Sequence, residues 1–552
     1  MVVSSRLSLY KKRENAKVLP GVRIFLSSFP PGPIIGRAMR TAVVVYAGSV
    51  TDRALLPLAG GASAFDRVLA FVGSLPELSG ILLLEGPVVL PDRGLARVTK
   101  TAWSDLDIIA ESRSFCAGLA EGPEALVFLR ADEPFLDPAL ARKMLESHRK
   151  YRADYSFADG YPLGLAVEIV HPRILPALQS LAEKAPSLPD RSWLFNVVQR
   201  DINSFDIETE ISPLDLRDRR ISLACDTKRN LLLVEGLAAA GLHDLASALD
   251  LIPRREDLLR SLPAFVAVQV TGGCPQSCKL CPWPLLGGDI LTRRDYMRAD
   301  RFAAMMGGLA SFAGDAVVDL SPWGEPSLHP HFPALVDAVL GRPGLSLIVE
   351  TSGLGWGEGV IEGIAARHQG RIDWILSLDA AEPSTYRRLR GEGWKEAQET
   401  ANVLERAFPG HFHPQLVRHR ENESELEAFW RGWKARTDNV IVQKYSRFGG
   451  RLPDLSVADL SPLKRHPCWH LRRDLTVLLD GSVPPCRELT GAAPLLGSLF
   501  EGLGEDETGD AAFFEAALSR VWAAGDGWHR LHASGDLPES CRNCDEYYTY
   551  NA

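Results

Sequence analysis

The chain lacks several features that would have settled its class at once. No stretch approaches the roughly eighteen consecutive apolar residues that a membrane span requires, so no membrane partner is expected. Basic residues are not in excess: 61 Lys and Arg face 70 Asp and Glu, for a net charge of −9. Without a basic face, general binding to nucleic acid is not expected either. There is no internal repeat and no long low-complexity tract. Nor is the chain short and cysteine-dense like a secreted disulfide scaffold, since it spreads nine cysteines over 552 residues. What remains is a globular composition, 46 % apolar and 24 % charged, long enough for roughly three domains. The expected location is the cytoplasm.

Residues 1–40 have almost no acid. Eight Lys and Arg stand there against Glu14 alone. A basic targeting peptide is one reading, but no clean apolar h-region and small-residue cleavage site follow it. A translation start at Met39, with 1–38 a poorly ordered extension, is the favoured reading.

From residue 41 to about 250, short β-rich runs alternate with helical ones. Thr41–Tyr46, Ile81–Leu84 and Ala125–Leu129 read as buried strands, with helices over Ala64–Phe71 and Pro138–Tyr151. This alternation predicts a parallel sheet covered by helices. Pro253–Pro263 reads as a linker helix. A second run of strand–helix units fills 251–445, with strands at Phe265–Val270, Ala316–Leu320, Leu345–Glu350, Trp374–Leu378, Gln415–Arg418 and Val440–Lys444. Six parallel strands make an open or partial barrel, whose chemistry collects after the strand C-termini. A smaller domain, 446–552, completes the chain.

Seven of the nine cysteines fall in three tight contexts: Cys274/Cys278/Cys281, Cys468/Cys486 and Cys541/Cys544. The first reads TGGCPQSCKLCPWP, directly after a predicted strand. Three thiolates on one short loop can hold three irons of a [4Fe–4S] cluster and leave the fourth open. An open iron can accept the amino and carboxylate groups of S-adenosylmethionine (SAM). One electron then cleaves a carbon–sulfur bond to give a 5′-deoxyadenosyl radical that abstracts hydrogen. A zinc site completed by a distant histidine is the alternative.

Here the sequence resembles the radical SAM superfamily. Trp323-Gly324-Glu325-Pro326 looks like that family's GGEP-type segment, which borders the SAM amino group. Glu350-Thr351-Ser352-Gly353 looks like its polar strand-end motif, and Ser377-Leu378-Asp379-Ala380 with Arg390-Gly391 like its S-x-D…R-G pattern. The resemblance implies contacts to SAM from Gly324, Glu325, Pro326, Ser352, Ser377 and Arg390. Before the third cysteine the family usually has an aromatic residue against adenine; here it is Leu280, whose aliphatic side chain can also cover an adenine face. Asp379 and Glu350 are candidate catalytic bases, with structural hydrogen bonding as the alternative role.

The remaining cysteine pairs resemble a SPASM domain, the auxiliary-cluster module of many radical SAM maturases. A full one has seven cysteines, and only Cys468, Cys486, Cys541 and Cys544 are present, so the shortened, single-cluster twitch form is the better match. It implies a second, fully ligated [4Fe–4S] cluster suited to electron transfer, with four-cysteine zinc as the alternative. His466 and His470 flank Cys468 and are further candidate ligands. Gln443–Gly450 and Asp545–Tyr550 resemble the spiro-SPASM subfamily.

The N-terminal domain is similar to cytidylyltransferase-like proteins of the spore-coat polysaccharide type. The match rests on Leu56–Gly60, Ala131–Pro138, Tyr161–Glu168 and Leu223–Thr227. It implies a Rossmann-like nucleotidyltransferase-type fold with Mg²⁺ held by Asp132 and Asp226. Yet Gly48–Arg53 (GSVTDR) stands in place of the phosphate-handling segment and has no Lys, so a degenerate binding or docking domain competes with an active transferase. Together these resemblances imply radical SAM chemistry on an unidentified substrate, with a flavodoxin or ferredoxin as electron donor. A carbohydrate-like small molecule is slightly favoured. A peptide substrate, or a non-catalytic iron–sulfur scaffold with a sugar-nucleotide-binding domain, are the alternatives.

Overall fold

The structure, a computed structural model, describes residues 39–459, 461–462, 464–491 and 494–548. The reading of 1–38 as a poorly ordered extension lies outside the described residues. By their internal contacts, residues 39–50 and 64–215 form one compact unit, and Thr51–Ser63 with Leu216–Tyr548 form another.

The first unit is built on seven strands. They are β1 (Thr41–Ala47), β2 (Leu78–Glu85), β3 (Ala96–Thr99), β4 (Ala125–Arg130), β5 (Tyr155–Asp159), β6 (Glu168–Val170) and β7 (Ile207–Ile211), in the order β3-β2-β1-β4-β6-β5-β7. Strand β1 is buried at every position, which is why it reads as an unbroken apolar run rather than an alternating one. The sheet is not wholly parallel as expected, because β6 runs antiparallel to both β4 and β5. The connection from Asp159 to Glu168 is shorter than the dozen or so residues a parallel crossover needs.

The second unit carries β8 (Phe265–Val268), β9 (Ala316–Asp319), β10 (Leu345–Thr351), β11 (Ile372–Ser377), β12 (Phe412–Arg418), β13 (Ile441–Lys444) and β14 (Asp474–Val477). All pairings are parallel, in the order β13-β12-β11-β10-β9-β8-β14, and the two end strands do not pair with each other, so the sheet is an open partial barrel. Six of these strands lie where the sequence puts them, to within three residues. The seventh, β14, comes from the segment read as a separate cluster domain and extends the sheet beside β8. The expected linker helix over Pro253–Pro263 does not form. A helix runs instead over Leu245–Arg254, started by a capping box at Asp244 upstream of Pro253, and is followed by one 3-10 turn at Glu256–Leu259.

Side chains alternate along β10, with Leu345, Leu347, Val349 and Thr351 buried. The helices that follow the strands close over this face. Phe332, Trp356 and Phe408 surround the fully buried Trp374 at ring separations of 6.2, 5.3 and 5.6 Å. The helices Ala299–Ala313 and Ala511–Ala524 touch through Gly308, where a Cβ would stand 2.6 Å from that of Phe514. Truncating the central ring leaves a cavity its rigid neighbours cannot refill. Trp374→Ala is therefore expected to cost about 4 kcal/mol of folding stability, read from the denaturant midpoint of the full chain.

Candidate functional site

Each parallel strand of the second unit ends at the same edge, and the loops there enclose a cavity of about 190 Å³. Cys274, Cys278 and Cys281 line it together with Leu280, Gly324, Glu325, Ser352, Ser377 and Arg390. Glu350 and Asp379 line it too. Pro326 does not; it is buried at the start of a 3-10 turn, Pro326–Leu328. The segment before it needs a glycine at 324, because a Cβ there would lie 2.2 Å from the carbonyl oxygen of Thr271. Trp323 and Asp379 adopt left-handed backbone, with φ of 59° and 60°, which few residues other than glycine accept.

The cysteine loop is held from outside itself. Arg390 donates from Nη1 to Asp379 Oδ2 (2.5 Å) and from Nε to Gln276 Oε1 (3.2 Å), and Gln276 lies between Cys274 and Cys278. Gln276 in turn donates to the Tyr386 hydroxyl at 2.9 Å. Asp379 is further occupied by the Val417 amide at 2.8 Å. Glu325 is likewise committed: its buried carboxylate accepts from Thr351 Oγ1 at 2.5 Å and from the Ser352 amide at 2.8 Å. Glu350 differs, since Ser377 Oγ (2.7 Å) and Gln415 Nε2 (2.8 Å) both donate to its Oε1. Neither Gln276 nor Gln415 stands out in the sequence, because their partners lie far along the chain.

Burial, with repulsion from Glu325 and Cys278, pushes the Cys274 thiol far up. Burial and Cys278 push the Cys281 thiol up to about 12. Burial and mutual repulsion both disfavour the thiolate form of these cysteines. The Trp283 amide already points at Cys281 Sγ, at 3.4 Å.

The other four clustered cysteines meet as well. Cys468, Cys486, Cys541 and Cys544 line one small cavity of about 20 Å³, joined by His470, Glu488, His532 and Glu546. Arg465 ties the halves together, donating to the carbonyls of Cys541 (2.7 Å) and Cys544 (3.2 Å) while its guanidinium lies over Tyr547. Burial pushes the Cys468 thiol far up and Cys544 to about 12. Among the described residues, no group of three or more His, Cys, Asp or Glu side chains is arranged to hold a metal ion. His466 faces Asp218 at 3.4 Å and does not line this cavity.

The two cavities share a wall. Arg487 lines the first, while its chain neighbours Cys486 and Glu488 line the second. Ser446, on the first, donates to Glu488 Oε2 at 2.7 Å, and Lys444, also on the first, to Glu546 Oε1 at 2.9 Å. On the strand-end floor, burial and then Glu350 raise Asp319 to about 6. Burial opposes the charge on Arg487, but Glu488, Asp319 and Glu350 outweigh it and hold the guanidinium firmly protonated.

The two carboxylates that the resemblance implies for Mg²⁺ each have partners within their own unit. Asp132 is gripped through both oxygens by Arg191, Nη2 to Oδ2 at 2.5 Å and Nη1 to Oδ1 at 3.3 Å. The same guanidinium reaches Glu133 at 3.0 Å. Asp226 belongs to the other unit, where its Oδ1 accepts from the Thr227 amide and from Asn230 Nδ2. An arginine thus supplies a positive charge at Asp132.

No protein-family model matches the chain. An uncharacterized protein of Treponema pallidum (strain Nichols) is 37 % identical over 373 residues, which cover 65 % of this chain and 99 % of that protein. The chain belongs to the family of that protein. A second uncharacterized T. pallidum protein is 48 % identical over 69 residues, 12 % of this chain and 32 % of the relative. Among solved structures, BtrN in complex with AdoMet and 2-DOIA is 16 % identical over 52 % of this chain and 94 % of that one, with a TM-score of 0.31. SuiB of Streptococcus suis bound to precursor peptide SuiA is 14 % identical, covering 64 % and 78 %, TM-score 0.37. A cytidylyltransferase from Leptospira borgpetersenii is 14 % identical, covering 40 % and 97 %, TM-score 0.33. At these TM-scores the likenesses establish neither fold nor function.

For this member of the family the Arg191 cluster makes a direct prediction. Removing the guanidinium strands two buried carboxylates, so Arg191→Ala should cost about 3 kcal/mol at pH 7. Glu133, raised to about 7 by burial even beside Arg191, relieves the repulsion when it binds a proton. The loss should therefore shrink as pH falls below 7. Urea unfolding of both proteins at pH 7 and 5.5 checks this.

Proposed function

We propose that the chain is a radical SAM enzyme with two [4Fe–4S] clusters. The first is held by Cys274, Cys278 and Cys281, the second by Cys468, Cys486, Cys541 and Cys544. The observation that carries this reading is the convergence of the three loop thiols with Gly324, Glu325, Ser352, Ser377 and Arg390 on one cavity at the strand C-termini, backed by a second cavity with four thiols. The donor sets fit: three thiols leave a cluster iron open for SAM, and four close one off. Zinc held by the same thiols is the alternative. When bound, the open cluster and SAM supply one-electron cleavage of a carbon–sulfur bond and a radical able to take hydrogen from a substrate.

The chain's own residues do the rest. Gln276, Arg390 and Asp379 fix the cysteine loop against the sheet. Trp283, Trp323 and Phe448 pack beside Cys274 and Cys281 and keep water from that side. Asp319, Ser321, Glu350, Lys444 and Arg487 give the cavity a floor and rim of hydrogen-bonding groups, suited to a polyhydroxylated, carbohydrate-like substrate. Glu350 takes the substrate's proton at Oε2, since both of its bonds land on Oε1. The remaining electron leaves through the shared wall toward the four-cysteine cavity. A flavodoxin or ferredoxin supplies the starting electron, in the cytoplasm.

Reconstituted anaerobically with iron and sulfide, the full chain should convert SAM to 5′-deoxyadenosine under dithionite. Cys278→Ala should lower that rate at least a hundredfold. Glu350→Gln should keep SAM cleavage while losing turnover of any substrate found in cell extract by mass change. No 5′-deoxyadenosine from iron-replete wild type would sink the proposal.

A further inference from the structure

His532 plays no part in the account so far, yet it is one of the most unusual side chains in the second unit. It lies on the helix Asp526–Ser534, is only 5 % exposed, and neither ring nitrogen has a hydrogen-bond partner within the protein. A neutral imidazole carries one N–H donor and one acceptor, and buried polar groups in folded proteins nearly always find partners. The ring lines the cavity formed by Cys468, Cys486, Cys541 and Cys544. The missing partner is therefore to be sought inside that cavity, among groups that accept an N–H.

His470 lines the same cavity and makes an instructive contrast. Its Nδ1 lies 2.5 Å from Asp474 Oδ2, and because a carboxylate at neutral pH can only accept, that nitrogen carries the proton and donates. The ring is thereby fixed from behind with a single nitrogen, Nε2, left over. His532 has no such anchor. A histidine held only by packing, with both nitrogens unspent, is costly in an apolar hole and reasonable beside an array of sulfur acceptors.

We propose that His532 donates an N–H···S hydrogen bond to the auxiliary cluster of the four-cysteine cavity and so raises that cluster's reduction potential. The inference rests on reading the cavity as a cluster site. Hydrogen bonds to cluster sulfurs stabilise the reduced, more negative state and shift the potential upward. A raised potential suits an acceptor that must draw an electron out of the neighbouring cavity through the wall of Ser446–Glu488 and Lys444–Glu546. On this account His532 positions no substrate; it tunes the electron sink.

The test uses the reconstituted full chain in an EPR-monitored redox titration, with iron and zinc counted on every sample. His532→Phe keeps the ring volume and removes both nitrogens, whereas His532→Asn keeps an N–H. The auxiliary signal of His532→Phe should titrate at a more negative potential than wild type at equal iron content, and His532→Asn should recover part of the shift. Hyperfine spectra of the reduced wild-type cluster should show a weak ¹⁴N coupling beyond that of the Glu546 amide at Cys544 Sγ, and His532→Phe should lose it. An unshifted potential at full iron content overturns the inference and leaves the cluster reading standing. A strong ¹⁴N coupling, marking direct ligation of iron, overturns the donor role. Zinc in place of the second set of irons overturns the cluster reading itself. If the Phe variant fails to load, wild type labelled with ¹⁵N-histidine decides, and absence of any ¹⁵N coupling there counts against the inference.

Discussion

Arg390 is the side chain on which the rest of the second unit's chemistry depends. It is buried, carries a charge, and spends that charge in two directions: toward Asp379 at the end of β11 and toward Gln276 inside the cysteine loop. Burial works against its ionisation, and the Asp379 carboxylate beside it favours the charged form. A loop rich in glycine and cysteine has little local structure of its own. Fastened to the sheet edge by a charge-assisted bond, it presents three thiols at a fixed place beside Gly324 and Ser352.

A second constraint is that two pockets of buried thiols share one wall. Each thiol is held neutral by burial, so each pocket is unfavourable for thiolates until something positive enters it. The wall is narrow in chain terms. Arg487 serves one side, and Cys486 and Glu488 the other. Strand β14 makes this possible, since its pairing with β8 draws the last segment of the chain onto the sheet that carries the first cysteine loop.

Much of this was legible in the sequence, and what was not has physical causes. Strands β8 to β13 could be read because each is a short apolar run followed by a helix. The motif residues could be read because parallel strands bring their C-termini to one edge. Strand β14 could not, because it pairs with a strand some two hundred residues earlier, and a four-residue apolar run carries no sign of its partner. Gln276 was invisible for a related reason: its value lies in Arg390, 114 residues away. In the first unit the motif around Asp132 was recognisable, but the arginine that neutralises it comes 59 residues later in a stretch with no motif at all. Pro326 came with its motif neighbours, although it is not among the residues that line the cavity.

The claim that most needs a direct measurement is that the seven clustered cysteines hold two different iron–sulfur clusters. Mössbauer spectroscopy of the full chain reconstituted with ⁵⁷Fe, before and after addition of SAM, addresses it without reference to any substrate. The account predicts about eight irons per chain in two [4Fe–4S] clusters. One iron of the eight should change its isomer shift when SAM binds, and the four irons of the second cluster should not respond. A single cluster, or two clusters of which neither responds to SAM, would contradict it.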